Sequence, residues 1–297
     1  MTFDHPTAHS AHRYDITGSV TSKDGTNISY RQFGHGVGVV ILHGAASSGY
    51  NHIQLAEALA DDFTVYVPDR RCHSLGFPFA KEYSIQKEIE DLDALLSKTG
   101  AHYVFGVSSG GIICLQAALA LPAIYKAAVY EPPFFVSNQA KPPAILERYD
   151  REIAQGNIAA ALVTGMQGAQ MGPPIFNFIP RWLLEPLTNM ALKGEAKKDS
   201  GGYVPMKALA PRMHYDFQLV VEMNGNLERF KDVGIELLLL GGSKSPAYMK
   251  AALNALQNIL PHVQRIELPG LDHAASWNTD RGGQPEPVAR ELGRFFA

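Results

Sequence analysis

Five short apolar runs govern what this chain can fold into: Val37 to Leu42, Phe63 to Val67, Tyr103 to Val107, Ala127 to Tyr130 and Ile235 to Leu240. They lack the apolar–polar alternation of a half-exposed strand. Strands covered on both faces read this way, so the runs point to a parallel sheet between two layers. Helix-period segments separate them, His52 to Ala60, Ser84 to Ser97 and Ser109 to Leu121. In the second, Ile85, Ile89, Leu92, Leu95 and Leu96 recur at three- and four-residue steps. Strand, helix, strand in this repetition predicts a doubly wound α/β fold. Upstream, Ile16 to Val20 and Thr26 to Phe33 flank Lys23-Asp24-Gly25 and predict a β-hairpin on the antiparallel edge of the sheet.

The alternation stops after Glu131. Up to about Lys231 the pattern is helical and punctuated by Pro-Pro and Gly-Gly pairs, after which strand and helix resume through Ala247 to Leu260, Val263 to Leu268 and Pro287 to Phe296. The expected organisation is a flexible tail over 1–14, an α/β core of 15–132 and 232–297, and a helical cap of 133–231. A 297-residue chain buries roughly three quarters of its unfolded surface, so no disulfide or metal staple is required. With 26 basic against 29 acidic residues and no basic block, nucleic acid is excluded as an expected partner. Cys72 and Cys114 lack the spacing of a zinc site, and His5, His9 and His12 have no second ligand cluster, so no metal is expected. The N-terminus has no basic start or apolar run, and no apolar stretch approaches membrane-spanning length. The expectation is a cytoplasmic protein with a small-molecule substrate, no membrane partner and, as its one assembly, a homodimer.

The chemistry concentrates at three strand ends. Gly106-Val107-Ser108-Ser109-Gly110 follows a buried run and opens a helix, the context of a nucleophile elbow in which small residues two before and two after the serine permit a sharp turn. Ser108 is the only serine in that frame. His43-Gly44-Ala45 follows the Val37 to Leu42 run, where a loop of this kind supplies a second oxyanion-hole amide. Ala45 and Ser109 are the candidate donors, although His43 also reads as a hydrogen-bonded core histidine. His273 lies past the last short strand and before the last helix, where a general base belongs in the order Ser, acid, His.

In this order and at these distances, HGAASS, DRRCHSLG, GVSSGG and PGLDH resemble the α/β-hydrolase superfamily over nearly all of residues 15–297, including a large group of microbial members without assigned activities. The resemblance implies an eight-stranded, mostly parallel sheet with helices on both faces, a helical cap and a Ser-acid-His triad. Two positions depart from it. Cys72 and Ser74 replace the small residues usual in the DRRCHSLG turn, and residues 237–266, where most of the family carry the acid, contain no Asp or Glu. Glu131 ends the strand after the nucleophile and falls on the same carboxyl-end rim. Certain lactone hydrolases and haloalkane dehalogenases of this superfamily take their acid from that position. Asp272, Asp216 and Asp232 are the rivals.

The implied activity is hydrolysis of an apolar carboxylic ester or lactone through an acyl-enzyme, without a cofactor. Gly44, Phe134 and Trp182 are the expected substrate contacts. A carbon–carbon bond hydrolase would use the same triad with a polar group such as Arg181 or Arg212 converging from the cap, and a non-catalytic ligand-binding protein remains the third reading. Serine at 108 argues against dehalogenase and epoxide-hydrolase chemistry, which on this fold resembles attack by an aspartate.

Overall fold

A computed structural model describes residues 16–73, 82–136, 142–171, 179–197, 201–225 and 227–297. The expected tail over 1–14, with its three histidines, lies outside them, as do Ser74, Leu75 and Gly76. The described strands are β1 (Ile16–Thr21), β2 (Asn27–Phe33), β3 (Val37–Leu42), β4 (Phe63–Pro68), β5 (Tyr103–Val107), β6 (Lys126–Tyr130), β7 (Glu236–Gly242) and β8 (Val263–Leu268). They form one eight-stranded sheet in the order β1-β2-β4-β3-β5-β6-β7-β8. The hairpin β1–β2 and the β2–β4 pair are antiparallel, and the five remaining pairings are parallel.

The burial of the central strands explains their unbroken apolar composition. Side chains alternate faces along a strand, and here each face has its own core. Val40 and Leu42, Val104, and Leu237 and Leu239 enter one cluster, covered by α2 (Ile85–Thr99), α3 (Ser109–Ala120) and α9 (Ala247–Ile259). Val39 and Ile41, Phe105 and Val107, and Leu238 and Leu240 enter the other, covered by α1 (Ile53–Leu59) and α10 (Pro285–Phe296). With both faces dry, a polar residue on either would need a buried partner.

Between β6 and β7 the described helices are α4 (Pro142–Ala154), α5 (Ile158–Gly168), α6 (Arg181–Glu195), α7 (Met206–Leu209) and α8 (Met213–Met223). Helices α4, α5, α7 and α8 share a small core around Tyr149, Ala161 and Met213, and α6 packs on α5. The two ends of this segment belong to the sheet's own core: Phe134, Phe230 and the Tyr215, Leu219 and Met223 face of α8 join the cluster on α3. Helix α6 begins five residues before Pro186, where the sequence pattern first reads as helix. The carbonyl that Pro186 leaves unbonded belongs to Trp182, which is exposed and open to solvent.

Candidate active site

The turn from β5 into α3 is close to the tightest its residues permit. A Cβ on Gly106 would lie 2.3 Å from the Gly110 carbonyl oxygen, and one on Gly110 would lie 2.4 Å from that of Leu42. Ser108 between them has φ 55° and ψ −123°, a left-handed conformation strained for a residue with a side chain. Its N–H donates to the Tyr130 carbonyl at 2.9 Å, pinning the elbow to the end of β6. The residue that follows β6 is Glu131, also at positive φ (49°) and fully buried.

Glu131 uses both carboxylate oxygens. Oε1 accepts the Gly242 N–H at 2.6 Å, and Oε2 lies 2.8 Å from His273 Nδ1, which donates to it. The end of β7 is shaped for this reach. A Cβ on Gly241 would lie 2.6 Å from Leu253 Cδ1 and 3.0 Å from Glu131 Oε1, so the glycine leaves room for both side chains at this strand end. The His273 loop is tied to the same point by Tyr130 Oη, which donates to the Asp272 carbonyl at 2.7 Å. Asp272 itself is exposed and accepts the Ala274 N–H, while Asp232 is exposed between α8 and β7. Asp216 is committed elsewhere.

The β3 loop is equally constrained. A Cβ on Gly44 would lie 2.8 Å from Ser108 Cβ, so only glycine lets this loop approach the elbow. His43 Nδ1 donates to the Gly44 carbonyl at 2.9 Å, and its Nε2 accepts the Arg70 N–H at 3.1 Å. Burial, reinforced by the nearby His73 and Arg70, holds the His43 ring well below the usual histidine range, in accord with a neutral ring of fixed tautomer. The His43 side chain is thus a hydrogen-bonded core histidine, while the loop it begins lies against the elbow. Ser47 Oγ donates to the same Gly44 carbonyl at 2.8 Å.

Behind the elbow lies a charged cluster that sequence reasoning missed. Arg70 donates to Glu88 through Nε and Nη2 at 3.3 and 2.8 Å, and to Asp216 Oδ1 through Nη1 at 3.0 Å. Ser109 Oγ donates to Asp216 Oδ1 at 2.6 Å, and His73 Nε2 lies 2.8 Å from Asp216 Oδ2. Burial alone would raise the Asp216 carboxyl, but His73, Arg70 and these hydrogen bonds hold it below the usual carboxylate range. The signal was present in α2, where Glu88 falls on the apolar stripe with Ile85, Ile89 and Leu92, and a carboxylate on a buried stripe requires a buried cation. Burial pushes the Cys114 thiol up, and Cys72 is buried too. Neither has the exposed, electropositive setting of a reactive cysteine.

Ser108, Ser109, His273, Gly44 and Ala45 line one cavity of about 330 Å³. Its apolar wall includes Phe135, Phe217, Trp277 and five methionines: Met166, Met171, Met206, Met213 and Met249. Two expected substrate contacts are corrected. Phe134 is buried in the main core, edge-on to Phe230 at 5.7 Å, while its neighbour Phe135 faces the cavity and stacks on Tyr248. Trp182 is 74% exposed. It lies two residues, roughly 200° of helix, from the buried Leu184, and so falls on the solvent face of α6. Arg181 is paired with Glu152 and Glu185, and Arg212 donates to the Cys72 carbonyl; neither lines the cavity. Among the described residues no His, Cys, Asp or Glu group could hold a metal ion, and no helix is long and apolar enough to cross a membrane.

An eight-stranded, mostly parallel sheet with helices on both faces and a strained serine turn at the carboxyl edge of the sheet is the architecture of the α/β-hydrolase class. The chain matches the model of the alpha/beta hydrolase family over residues 39–291, and it belongs to that family. An alpha/beta hydrolase from Sphaerobacter thermophilus DSM 20745 superposes with a TM-score of 0.75 at 28% identity, covering 94% of this chain and 100% of that one. The uncharacterized hydrolase YraK of Bacillus subtilis (strain 168) is 33% identical over 103 residues, 33% of this chain and 38% of its own. The pimeloyl-(acyl-carrier protein) methyl ester esterase of Stenotrophomonas maltophilia (strain R551-3) is 30% identical over 134 residues, 41% of this chain and 48% of its own. The matched segments thus span less than half of these two curated relatives. The protein is an α/β hydrolase with esterase-like relatives.

Proposed function

We propose that the protein is a serine hydrolase that cleaves a carboxylic ester or lactone of an apolar small molecule. The observation that carries this reading is the 2.8 Å Glu131–His273 pair opening onto the same apolar cavity as the strained Ser108. Glu131 accepts the hydrogen bond donated by His273 Nδ1–H, which leaves Nε2 as the basic atom. Ser108 Oγ bonds to the acyl carbon as its proton passes to His273 Nε2, and the Ala45 and Ser109 amides receive the oxyanion. The tetrahedral intermediate then collapses, the C–O bond to the alcohol breaks, and His273 returns the proton to the departing oxygen. Water repeats the sequence on the acyl-enzyme and frees the acid and Ser108.

The cavity wall favours apolar acyl groups. Methionine side chains are unbranched and polarizable, so five of them give a lining that follows the shape of its ligand. A carbon–carbon bond hydrolase acting on a polar ketone has less support, since Arg181 and Arg212 turn away. Steady-state assays of the wild type and Ser108→Ala on p-nitrophenyl esters and γ- and δ-lactones of increasing chain length test the proposal. Serine-dependent turnover that improves with apolar chain length is expected. Turnover confined to short charged substrates, or retained in Ser108→Ala, would contradict it.

A further inference from the structure

The two amides of the oxyanion hole come from different strand ends, Ala45 after β3 and Ser109 after β5, and one side chain joins them from behind. Arg70 Nη1 donates to the His43 carbonyl at 3.0 Å, to Ser109 Oγ at 3.2 Å and to Asp216 Oδ1 at 3.0 Å. Its backbone N–H also donates to His43 Nε2, and Asp216 closes the circuit by accepting the Ser109 hydroxyl. On the β3 side, His43 Nδ1 grips the Gly44 carbonyl. That carbonyl and the Ala45 N–H belong to one planar trans peptide and point in opposite directions, so fixing the first aims the second.

Resting on the serine-hydrolase reading above, we infer that the buried Arg70–Asp216 pair is a positioning device for the oxyanion hole, holding the Ala45 and Ser109 amides in register and tying cap helix α8 to that register. Structural support alone accounts poorly for the arrangement. Glu88 already binds Arg70 through two hydrogen bonds, and Tyr83 Oη accepts another. Nη1 is the part of the guanidinium that turns to the elbow. A buried ion pair is also weak evidence for stability, because its desolvation offsets much of the attraction. Asp216, moreover, arrives from the cap and lines the cavity.

The test uses Arg70→Lys, which keeps the charge and loses the fork, and Asp216→Asn, which keeps an acceptor for Ser109 and loses the charge. Each is titrated with a fluorophosphonate, so that rates refer to active enzyme. Two ligands are compared: an alkylboronic acid, which becomes tetrahedral on Ser108, and a straight-chain alcohol of equal length, which does not. We expect kcat and boronate affinity to fall together by about 10- to 100-fold, with KM and alcohol affinity within about twofold, since only the charge developing on the oxyanion has lost its donors. Wild-type boronate affinity in the titrated variants, with only the active fraction or Tm reduced, would overturn the inference. If neither variant folds, Ser109→Ala, which retains its amide, decides: a fall of about threefold or more in boronate affinity supports the positioning role, and no change refutes it. A wild type that takes no fluorophosphonate fails the underlying serine-hydrolase reading, and the positioning role falls with it.

Discussion

Two carboxylate–histidine pairs flank the elbow, and both are 2.8 Å apart: Glu131 with His273, and Asp216 with His73. Each carboxylate is buried; His273 shares a cavity with Ser108, and Asp216 accepts the hydroxyl of Ser109. The pairs differ in what closes round them. Glu131 has no Lys or Arg partner among the described residues; its second oxygen takes a backbone N–H, and its histidine keeps 12% of its side chain exposed at the cavity. Asp216 is saturated by Arg70 and the Ser109 hydroxyl, and His73 is sealed at 1%. On the proposed reading the pair with an open histidine edge moves a proton to the substrate, whereas Asp216, although at the cavity wall, is already bonded by Arg70, Ser109 and His73 and holds geometry. Carboxylate and histidine at hydrogen-bond distance are therefore not enough to pick out a proton relay, and the proposed function rests on the open edge of the Glu131 pair.

The largest effect that separates the pairs is at the serines. Ser108→Ala should lower ester turnover by about 10⁴- to 10⁶-fold, while Ser109→Ala, which keeps its backbone donor, should lower it by less than about tenfold, both read from kcat on active-site-titrated enzyme. Next, Glu131→Gln should reduce kcat by roughly 10²- to 10⁴-fold through loss of the carboxylate that orients and stabilises the His273 ring. A Glu131→Gln enzyme as fast as wild type would make the two pairs equivalent and break the comparison. Gly44→Ala should follow at about 10²-fold in kcat/KM, because its Cβ would press on Ser108 Cβ and displace the elbow.

A pH measurement sharpens the sealed side of the molecule. Burial lowers the ring of His52 to about 4, although its Nδ1 donates to the Ser276 carbonyl. The folded state then binds fewer protons than the unfolded chain between pH 6.5 and 4. Stability therefore falls as pH falls through that window, by about 3 kcal/mol from this group when complete. Asp91, raised by burial to about 6 despite its hydrogen bond from Arg71, acts in the opposite sense between 3.8 and 6. Urea unfolding of wild type and His52→Gln between pH 7 and 4.5 separates them: the variant should show the shallower acid loss. The smallest effect should come from Trp182→Ala, within about 0.5 kcal/mol in stability, and with kcat/KM unchanged, since its side chain faces solvent.

Much of this was legible in the sequence because it is local. The unbroken apolar runs encode two buried faces, and Gly106 and Gly110 encode a turn with no room for side chains. The pairing of Glu131 with His273 was legible from the place of Glu131 at a strand end and from the absence of acid from 237–266. The Arg70–Asp216 pair was not, because its members are 146 residues apart and neither alone reveals burial. Phe134 was exchanged for Phe135 because side-chain direction after Pro132-Pro133 follows no period. Trp182 was misplaced because a helix that runs through Pro186 hides its own start, and with it the phase that sends residue 182 outward.

The central claim is that Ser108 alone is activated by the open pair. Peptide mass mapping after fluorophosphonate treatment of wild type, Ser108→Ala and Glu131→Gln tests it most directly. The account predicts one adduct, on Ser108, absent in Ser108→Ala and formed far more slowly in Glu131→Gln. An adduct on Ser109, or none in a folded wild type, would contradict it.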